Sequence, residues 1–346
     1  MSAGPIALSI VIAASESAEA VHRCVRSIAV SGRVEIEVLI VAAIDKIQPP
    51  ERVPRGVRWI AARQGSGVAV LRRIGLDHAR GDIVALTEDS CVFKPGWADG
   101  WLATFEKREQ QAASGSVLPL LGDDPVDWAV FFFEYACFLP DRRPKAPARL
   151  AGNNFAFRRS LSARLDSDQI HETEVNAIDP ANTCRSSSTA YHVRHYGLAE
   201  ALRDRLRFGF EYGQRRSKRT SRGLRSLAIG IGPAIFLVQT ARLVVSGVRS
   251  RRFLSAFLES LPMTLGLLTA WSIGEWSGWI SGMRPRHRPF ANDVKQGADD
   301  ASDPLARGKR YQTVVESSGK SFHWTEMSEV ALGKRRDGDL ATSKRR

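Results

Sequence analysis

Short apolar runs alternate with helical patterns in the first part of the chain. Residues 6–14 and 36–44 are apolar and rich in β-branched side chains, and shorter runs follow at 57–62 and 83–86. Between them, apolar residues recur at helical spacing, first at Ala20, Val21, Cys24, Val25 and Ile28 and later at Val68, Leu71 and Ile74. Strand, helix and strand repeated in this way predict right-handed βαβ units on a parallel sheet. Ligands of such sheets lie beyond the carboxyl ends of the strands.

Two much longer apolar segments follow near the other end of the chain, at residues 227–245 and 253–280. Each has about the length of a bilayer span. Arginines crowd residues 203–225 and 249–252 on either side of the first segment. In a simple two-span hairpin the 249–252 loop would lie outside, against the positive-inside rule. The sequence therefore fits two membrane-associated arrangements: helices that span the bilayer, and helices that are tilted, re-entrant or interfacial.

The charge balance indicates a partner that carries phosphate. The 346 residues include 50 Lys and Arg against 37 Asp and Glu, a formal net charge of +13. Nucleic acid, anionic lipid and a phosphorylated substrate would each match this excess. Because the arginines adjoin apolar segments and no helix-turn-helix or aromatic RNA motif occurs, we expect anionic membrane lipids and no nucleic acid. The four cysteines form no CxxC pair and are typical of reduced thiols in the cytoplasm.

Two consecutive carboxylates end the strand predicted at residues 83–86. Thr87 is followed by Glu88, Asp89 and Ser90. Carboxylates at the ligand-binding edge of a sheet can hold Mg²⁺ or Mn²⁺ against a diphosphate. Acidic residues are also common in solvated turns, so the spacing alone leaves both interpretations open.

Several motifs in order resemble those of the family 2 glycosyltransferases, which are inverting enzymes with the GT-A fold. After an opening strand at residues 8–13, the chain has Arg72-Arg73-Ile74-Gly75 leading to Ala79-Arg80-Gly81-Asp82, and then the acidic strand end and Pro95-Gly96-Trp97. Residues 152–159 resemble the acceptor-side strand of the family, and His171-Glu172-Thr173-Glu174 stands where the family carries its catalytic base. The resemblance covers residues 6–215. It implies an α/β fold of the GT-A (Rossmann-like) type, a mostly parallel sheet flanked by helices. To this the apolar segments at residues 227–245 and 253–280 add C-terminal membrane-associated helices.

The resemblance also implies the roles of individual residues. Glu172 would be the base, supported by Glu174; Asn153 and Asn154 would bind the acceptor; and Asp89 with Glu88 would hold a divalent cation, Mg²⁺ or Mn²⁺. The donor side would be formed by Ala13, Asp45, Arg72, Arg73, Glu88 and Asp89. From the residues alone, the asparagine pair equally fits a turn, and the two glutamates fit a helix start.

The chain departs from the family pattern at two positions. Ala42 or Ala43 stands where the family has a nucleobase-binding Asp, so Asp45 would substitute only from a shifted loop, and Ser90 replaces the last acid of the strand-end triplet. These departures favour, as an alternative, a degenerate GT-A-like protein that acts without catalysis as a membrane-bound binding or assembly factor.

The expected protein is therefore a membrane-associated glycosyltransferase that moves a hexosyl or similar group. The donor is a nucleotide sugar, and the acceptor is lipid-linked or a saccharide such as a polysaccharide precursor. We expect residues 1–215 to form the GT-A domain, 216–283 the basic and apolar membrane-associated helices, and 284–346 a polar, mobile tail. The expected location is the cell inner membrane, with the catalytic domain in the cytoplasm. The aromatic segment at residues 131–138 fits either ordinary core or, if exposed at the cleft, contact with a lipid-bearing acceptor.

Overall fold

A computed structural model describes residues 6–28, 36–48, 56–107, 109–140, 150–164 and 182–282. Within these ranges the chain forms one eight-stranded sheet with helices against it, followed by a group of C-terminal helices. The predicted α/β class is confirmed.

The first half of the sheet is the predicted parallel unit. It consists of β1 (Leu8–Ala14), β2 (Ile36–Ala43), β3 (Val57–Ala62) and β4 (Ile83–Glu88). Strand β1 pairs in parallel with β2 on one side and with β4 on the other, and β3 pairs in parallel with β2. Every residue of β1 and β2 is buried, which explains their continuous apolar sequence: both faces of a parallel sheet are covered by helices.

The second half of the sheet reverses direction and contains strands that the apolar pattern did not reveal. It is formed by β5 (Cys91–Phe93), β6 (Ala112–Pro119), β7 (Asn154–Arg158) and β8 (Thr183–His192). Strand β7 is antiparallel to β4 and β6, β8 is parallel to β6, and β5 is antiparallel to β8. The complete order is β3-β2-β1-β4-β7-β6-β8-β5.

Four α-helices follow strands in the described part of this domain. They are α1 (Ala18–Ser27), α2 (Val68–His78), α3 (Trp97–Phe105) and α4 (Pro125–Tyr135). The side chain of Ser17 accepts a hydrogen bond from the Ala20 amide and so caps α1. Helix α2 lies unusually close to the sheet, because a Cβ on Gly75 would stand 2.2 Å from Val11 Cγ1. The family-like glycine at position 75 therefore has a packing role.

The C-terminal region is helical throughout its described part. It contains α5 (Leu198–Arg219), α6 (Arg222–Gly230), α7 (Gly232–Arg249) and α8 (Leu254–Ser281). Helix α5 continues past residue 215, where the domain boundary was predicted. The first apolar segment is not one straight helix, because α6 and α7 bend by 59° at their junction. By length and composition, one helix, Arg251–Ser281, could cross a membrane, and the bent α6–α7 pair could form a second span.

The aromatic segment at 131–138 is core. Phe131 and Phe132 on α4 are buried, and the Phe132 ring packs edge-on against Phe257 of α8 with ring centroids 5.0 Å apart. Trp128 contacts Phe253 in the same layer. Helix α4 thus joins the sheet domain to the first half of α8, and this segment is not an exposed acceptor surface.

Helices α5 and α8 run parallel and touch through their backbones. A Cβ on Gly209 would lie 2.2 Å from the Trp271 carbonyl oxygen, and one on Gly213 would lie 2.1 Å from that of Glu275. From the other side, Gly274 and Gly278 approach Leu206 and Phe210 equally closely. Small residues four positions apart on both helices permit this distance, as in other close helix pairs.

Candidate functional site

The candidate site lies where the carboxyl ends of β1, β2 and β4 meet. Ala13 of β1 is in register with Glu88 of β4, and Ala14 is in register with Ala42 of β2. The loops that leave these strands therefore start side by side. They carry Glu16 after β1, Asp45 after β2 and Asp89 after β4. This is the sheet edge that the βαβ pattern predicted.

Asp89 is fully buried and holds the loop that follows β1. Its Oδ2 atom accepts hydrogen bonds from the backbone amides of Ser15 (3.1 Å) and Glu16 (2.8 Å). Its Oδ1 atom is buried and has no hydrogen-bond partner among the described residues. Burial raises the pKa of Asp89 from its usual 3.8 to about 6, the two amides oppose this rise, and the neighbouring charge of Glu88 adds to it.

Glu88 forms an ion pair with Arg72 of α2. Arg72 Nη2 donates to Glu88 Oε1 at 2.6 Å and also donates to the Gly152 carbonyl, just before β7. The Arg72 side chain is only 3% exposed, whereas that of Glu88 is 23% exposed. Of the two strand-end acids, Glu88 is thus the one that reaches solvent, and a buried guanidinium lies beside it.

Glu16 is a third acid of the site, and no motif in the sequence identifies it. Its carboxylate is 14% exposed and its Oε1 atom lies 3.3 Å from Nε of Arg194, which follows β8. Burial, and then the negative charge of Asp89, raise the pKa of Glu16 to about 7, although Arg194 opposes the rise. The only signal in the sequence was the position of Glu16, two residues beyond a buried parallel strand.

The other predicted donor residues lie around this edge in different environments. Asp45 is exposed, and its Oδ1 accepts a hydrogen bond from the Gly65 amide at 3.2 Å, which connects the loops after β2 and β3. Ala13 is fully buried in β1, in register with Val41 of β2 and Glu88 of β4. Arg73 Nη1 donates to the Ser162 carbonyl at 3.2 Å, beyond β7. Arg73 is thus bonded to a different segment from the one that Arg72 contacts.

The two predicted acceptor asparagines differ sharply. Asn154 is part of the sheet: its Nδ2 donates to the carbonyls of Ser116 and Ser188, and its Oδ1 accepts from Trp97 Nε1 at 3.0 Å. Asn153 is also fully buried, yet neither polar atom of its side chain has a partner among the described residues. Buried amides normally have partners, so Asn153 is the member of the pair that retains capacity for a ligand or a water.

A second buried polar group lies on the β8 side of the domain. Glu134 of α4 forms an ion pair with Arg205 of α5, and although burial opposes it, Arg205 holds the pKa of Glu134 below its usual value. His192 is buried between the rings of Tyr135 and Tyr196, and its burial lowers its pKa to about 4. A neutral imidazole stacked between two rings has a structural role in the core.

The acids at the sheet edge do not form a metal site by themselves. No three His, Cys, Asp or Glu side chains in the described ranges form a group that could hold a metal ion. A cation that accompanies a nucleotide, however, is usually held by one or two carboxylates together with phosphate oxygens. Glu88 and Oδ1 of Asp89, which has no partner among the described residues, could supply these one or two carboxylate ligands. The predicted base Glu172 and its neighbour Glu174 lie outside the described residues.

Comparisons with known proteins add a distant structural likeness. No family model matches the chain, and no curated protein matches it. Among solved structures, the chain is similar to GalNAc-T7, crystallised with UDP, GalNAc and Mn²⁺, with a TM-score of 0.41 and 13% sequence identity. The match covers 56% of this chain and 44% of that one, so this chain spans less than half the length of the GalNAc-T7 chain.

Proposed function

We propose that the chain is an inverting glycosyltransferase of the GT-A type that uses a nucleotide-sugar donor. The observation that carries this proposal is the grouping of Glu16, Glu88 and Asp89 with two arginines, Arg72 and Arg194, at the carboxyl edge of the parallel strands. The motif order that resembles family 2 supports the same conclusion. A diphosphate with its cation matches this mixture of carboxylates and guanidinium groups.

The donor would bind at the edge formed by β1, β2 and β4. Glu88, with Oδ1 of Asp89, would hold the divalent cation, Mg²⁺ or Mn²⁺, which offsets the charge on the departing diphosphate. Asp89 would act mainly through the β1–α1 loop, because its Oδ2 fixes the amides of Ser15 and Glu16. Ala13 and Asp45 would border the nucleoside, and Arg72 and Arg73 would contribute positive charge from α2.

The transfer itself requires a base and an acceptor hydroxyl. The hydroxyl oxygen forms its bond to the anomeric carbon as the bond from that carbon to the diphosphate oxygen breaks, and the configuration inverts. The hydroxyl proton passes to a carboxylate, for which we propose Glu172 with Glu174 in support. Asn153 would hydrogen-bond the acceptor, which we propose to be lipid-linked or a polysaccharide precursor. The enzyme would work at the cell inner membrane, with its catalytic domain in the cytoplasm.

A donor screen tests the proposal. Membranes containing the full chain are incubated with a panel of nucleotide sugars and Mn²⁺, and products and donor hydrolysis are followed by mass spectrometry. We expect one donor to be consumed, and we expect Asp89→Ala, Glu88→Gln and Glu172→Ala to abolish its consumption. Asp77→Ala is the matched control, because Asp77 is an exposed acid on the outer side of α2. Full activity in both Asp89→Ala and Glu172→Ala would refute the site assignment.

The alternative is a non-catalytic relative that binds or assembles partners at the membrane. Two observations favour it: the nucleobase position is the buried Ala42, and Glu88 is already paired with Arg72. Titration calorimetry with the same nucleotide sugars, with and without Mn²⁺, separates the two candidates. Absence of heat with every donor would favour the non-catalytic protein, whereas binding that Glu88→Gln weakens supports the enzyme.

A further inference from the structure

Exposed apolar side chains are concentrated on the C-terminal helices. Of the fifteen large hydrophobic residues that are exposed in the described part of the chain, twelve lie between Leu224 and Ile280. Leu237 is the most exposed of them, at 66%. Exposed apolar side chains concentrated in one region in this way mark contact with a protein or a membrane.

On α8 these residues form one stripe. Its exposed members are Leu258, Pro262, Thr269, Ile273, Trp276 and Ile280. At 3.6 residues per turn they fall on one side of the helix, roughly 170° from Gly274, Gly278 and Gly282, which face α5. The stripe from Leu258 to Ile280 is about 33 Å long at 1.5 Å per residue. The apolar side of α8 is therefore opposite the side that α5 covers.

Helix α5 is too highly charged to enter a bilayer with α8. Its exposed residues include Arg203, Arg207, Arg216, Lys218 and Arg219. Because Gly209 and Gly213 hold α5 in backbone contact with the second half of α8, both helices must lie at the same depth. If α8 crossed the membrane, these charges would be carried into the hydrocarbon core, where ionised side chains are costly.

Helix α7 gives an independent reason against a crossing. Arg242 is exposed near its middle, on the same side as Ile235, Val238 and Val245. In a spanning helix this guanidinium would lie near the centre of the bilayer, facing lipid. In a helix that lies along the interface, the same side chain can reach the headgroups while its methylene stem stays among acyl chains.

We propose that α6, α7 and α8 lie in the plane of an anionic membrane surface and do not cross it. Their exposed apolar side chains would enter the headgroup and acyl boundary, and α5 would face water. Arg242, Arg249, Arg251 and Arg252 are exposed beside the patch and complement anionic headgroups. This arrangement does not depend on glycosyl transfer, so its failure and that of the proposed function can be told apart.

Vesicle binding tests the chemistry of this surface. The purified full chain is mixed with vesicles of phosphatidylcholine alone, or of phosphatidylcholine with phosphatidylglycerol, and bound protein is measured by flotation. We expect binding to the anionic vesicles, weakened by salt, and about tenfold weaker binding for the Leu237→Glu/Val238→Glu double variant. Leu198→Glu is the matched control, an exposed leucine at the start of α5, and should bind as the parent does.

Three outcomes of that experiment would overturn the proposal. They are equal binding of the double variant and the parent, absence of binding to anionic vesicles, and a change from dimer to monomer in the double variant by light scattering. The last outcome would make the patch a contact between two copies of the chain. Far-ultraviolet circular dichroism of each variant confirms that it is folded.

Labelling of three introduced cysteines distinguishes an in-plane arrangement from a crossing. Ser221→Cys and Arg251→Cys place thiols at opposite ends of the α6–α7 pair, and Ser277→Cys places one a turn before the end of α8; all three positions are exposed, and each change is made alone in a parent with Cys137→Ser and Cys184→Ser. In sealed vesicles with the catalytic domain outside, an impermeant maleimide should label all three. Protection of any one of them until detergent is added would show a crossing and would refute the proposal.

Discussion

Replacing Glu16 by glutamine should change the stability of the protein in a way that depends on pH. Burial and the charge of Asp89 raise the pKa of the Glu16 carboxyl from its usual 4.5 to about 7. Because the folded state binds this proton more tightly than the unfolded state, the associated stability is fully present below pH 4.5. It is lost as the pH rises through 7, where the folded protein must hold the buried charge.

The expected change in unfolding free energy follows from the shift in the pKa of Glu16. A difference of one in pKa corresponds to about 1.4 kcal/mol, so the rise from 4.5 to about 7 corresponds to roughly 3 kcal/mol. Since the carboxylate is 14% exposed, we expect roughly 2–3 kcal/mol to be observed. Glutamine has nearly the same shape and does not ionise. Relative to the parent, Glu16→Gln should therefore gain this amount of unfolding free energy between pH 4.5 and pH 8.

Urea unfolding followed by tryptophan fluorescence in a mild detergent measures the effect at several pH values. Glu19→Gln is the control, because Glu19 lies on the exposed side of α1 three residues away. The difference in unfolding free energy between the Glu16→Gln variant and the parent should grow with pH. The difference between the Glu19→Gln control and the parent should stay constant. A difference for Glu16→Gln that is the same at pH 4.5 and pH 8 would refute the reasoning.

Three further predictions concern the parts that hold the site and the helices together. Gly213→Ala forces α5 and α8 apart, because its Cβ would stand 2.1 Å from the Glu275 carbonyl oxygen; we expect a loss of about 2–4 kcal/mol in urea unfolding. Gly223→Ala, where nothing lies within 4 Å of the added Cβ, should be neutral or slightly stabilising, and equal effects of the two changes would contradict the packing argument. Asn154→Ala removes the side-chain hydrogen bonds that join β6, β7, β8 and α3. It should lower the free energy of unfolding by about 2–3 kcal/mol. An unchanged denaturation midpoint would show that these bonds do not contribute to stability. Glu134→Gln leaves the buried Arg205 without its counter-charge and should lower the free energy of unfolding by about 3–5 kcal/mol. Adding Arg205→Met should recover most of that loss. A double variant no more stable than the single one would refute this account.

The parallel half of the sheet could be predicted because its cause is local. Strands β1, β2 and β4 are buried on both faces, and their continuous apolar, β-branched runs in the sequence indicate this directly. Strands β6 and β8 could not be found in the same way. Strand β8 contains three serines, and the hydroxyl of its buried Ser188 donates to the Trp97 carbonyl, so the burial of this strand depends on a distant helix.

The charged residues of the site likewise divide into those that the sequence identifies and those that only the fold brings in. Glu88 and Asp89 were identified because they follow a buried strand directly, and Arg72 because its motif resembles a family pattern. Glu16 and Arg194 join them only through the fold, since they are far apart in the chain and meet when β1 and β8 are placed in one sheet. Likewise, no local feature of the sequence distinguishes Asn153 from Asn154. Both ends of the Asn154 amide are hydrogen-bonded, whereas the Asn153 side chain has no partner among the residues that the structure describes.

For the C-terminal helices, sequence and tertiary structure each contributed a part of the picture. Composition and length alone established two long apolar segments flanked by arginines, because hydropathy is a property of consecutive residues. They left open whether the helices cross, since the answer depends on what lies beside each helix. The tertiary structure brings the charged α5 into backbone contact with α8 and turns the apolar stripe to the opposite side. If α8 entered the hydrocarbon core, the charged side chains of α5 would enter with it, at a large desolvation cost. The sequence by itself does not specify this contact, because the two helices are distant in the chain.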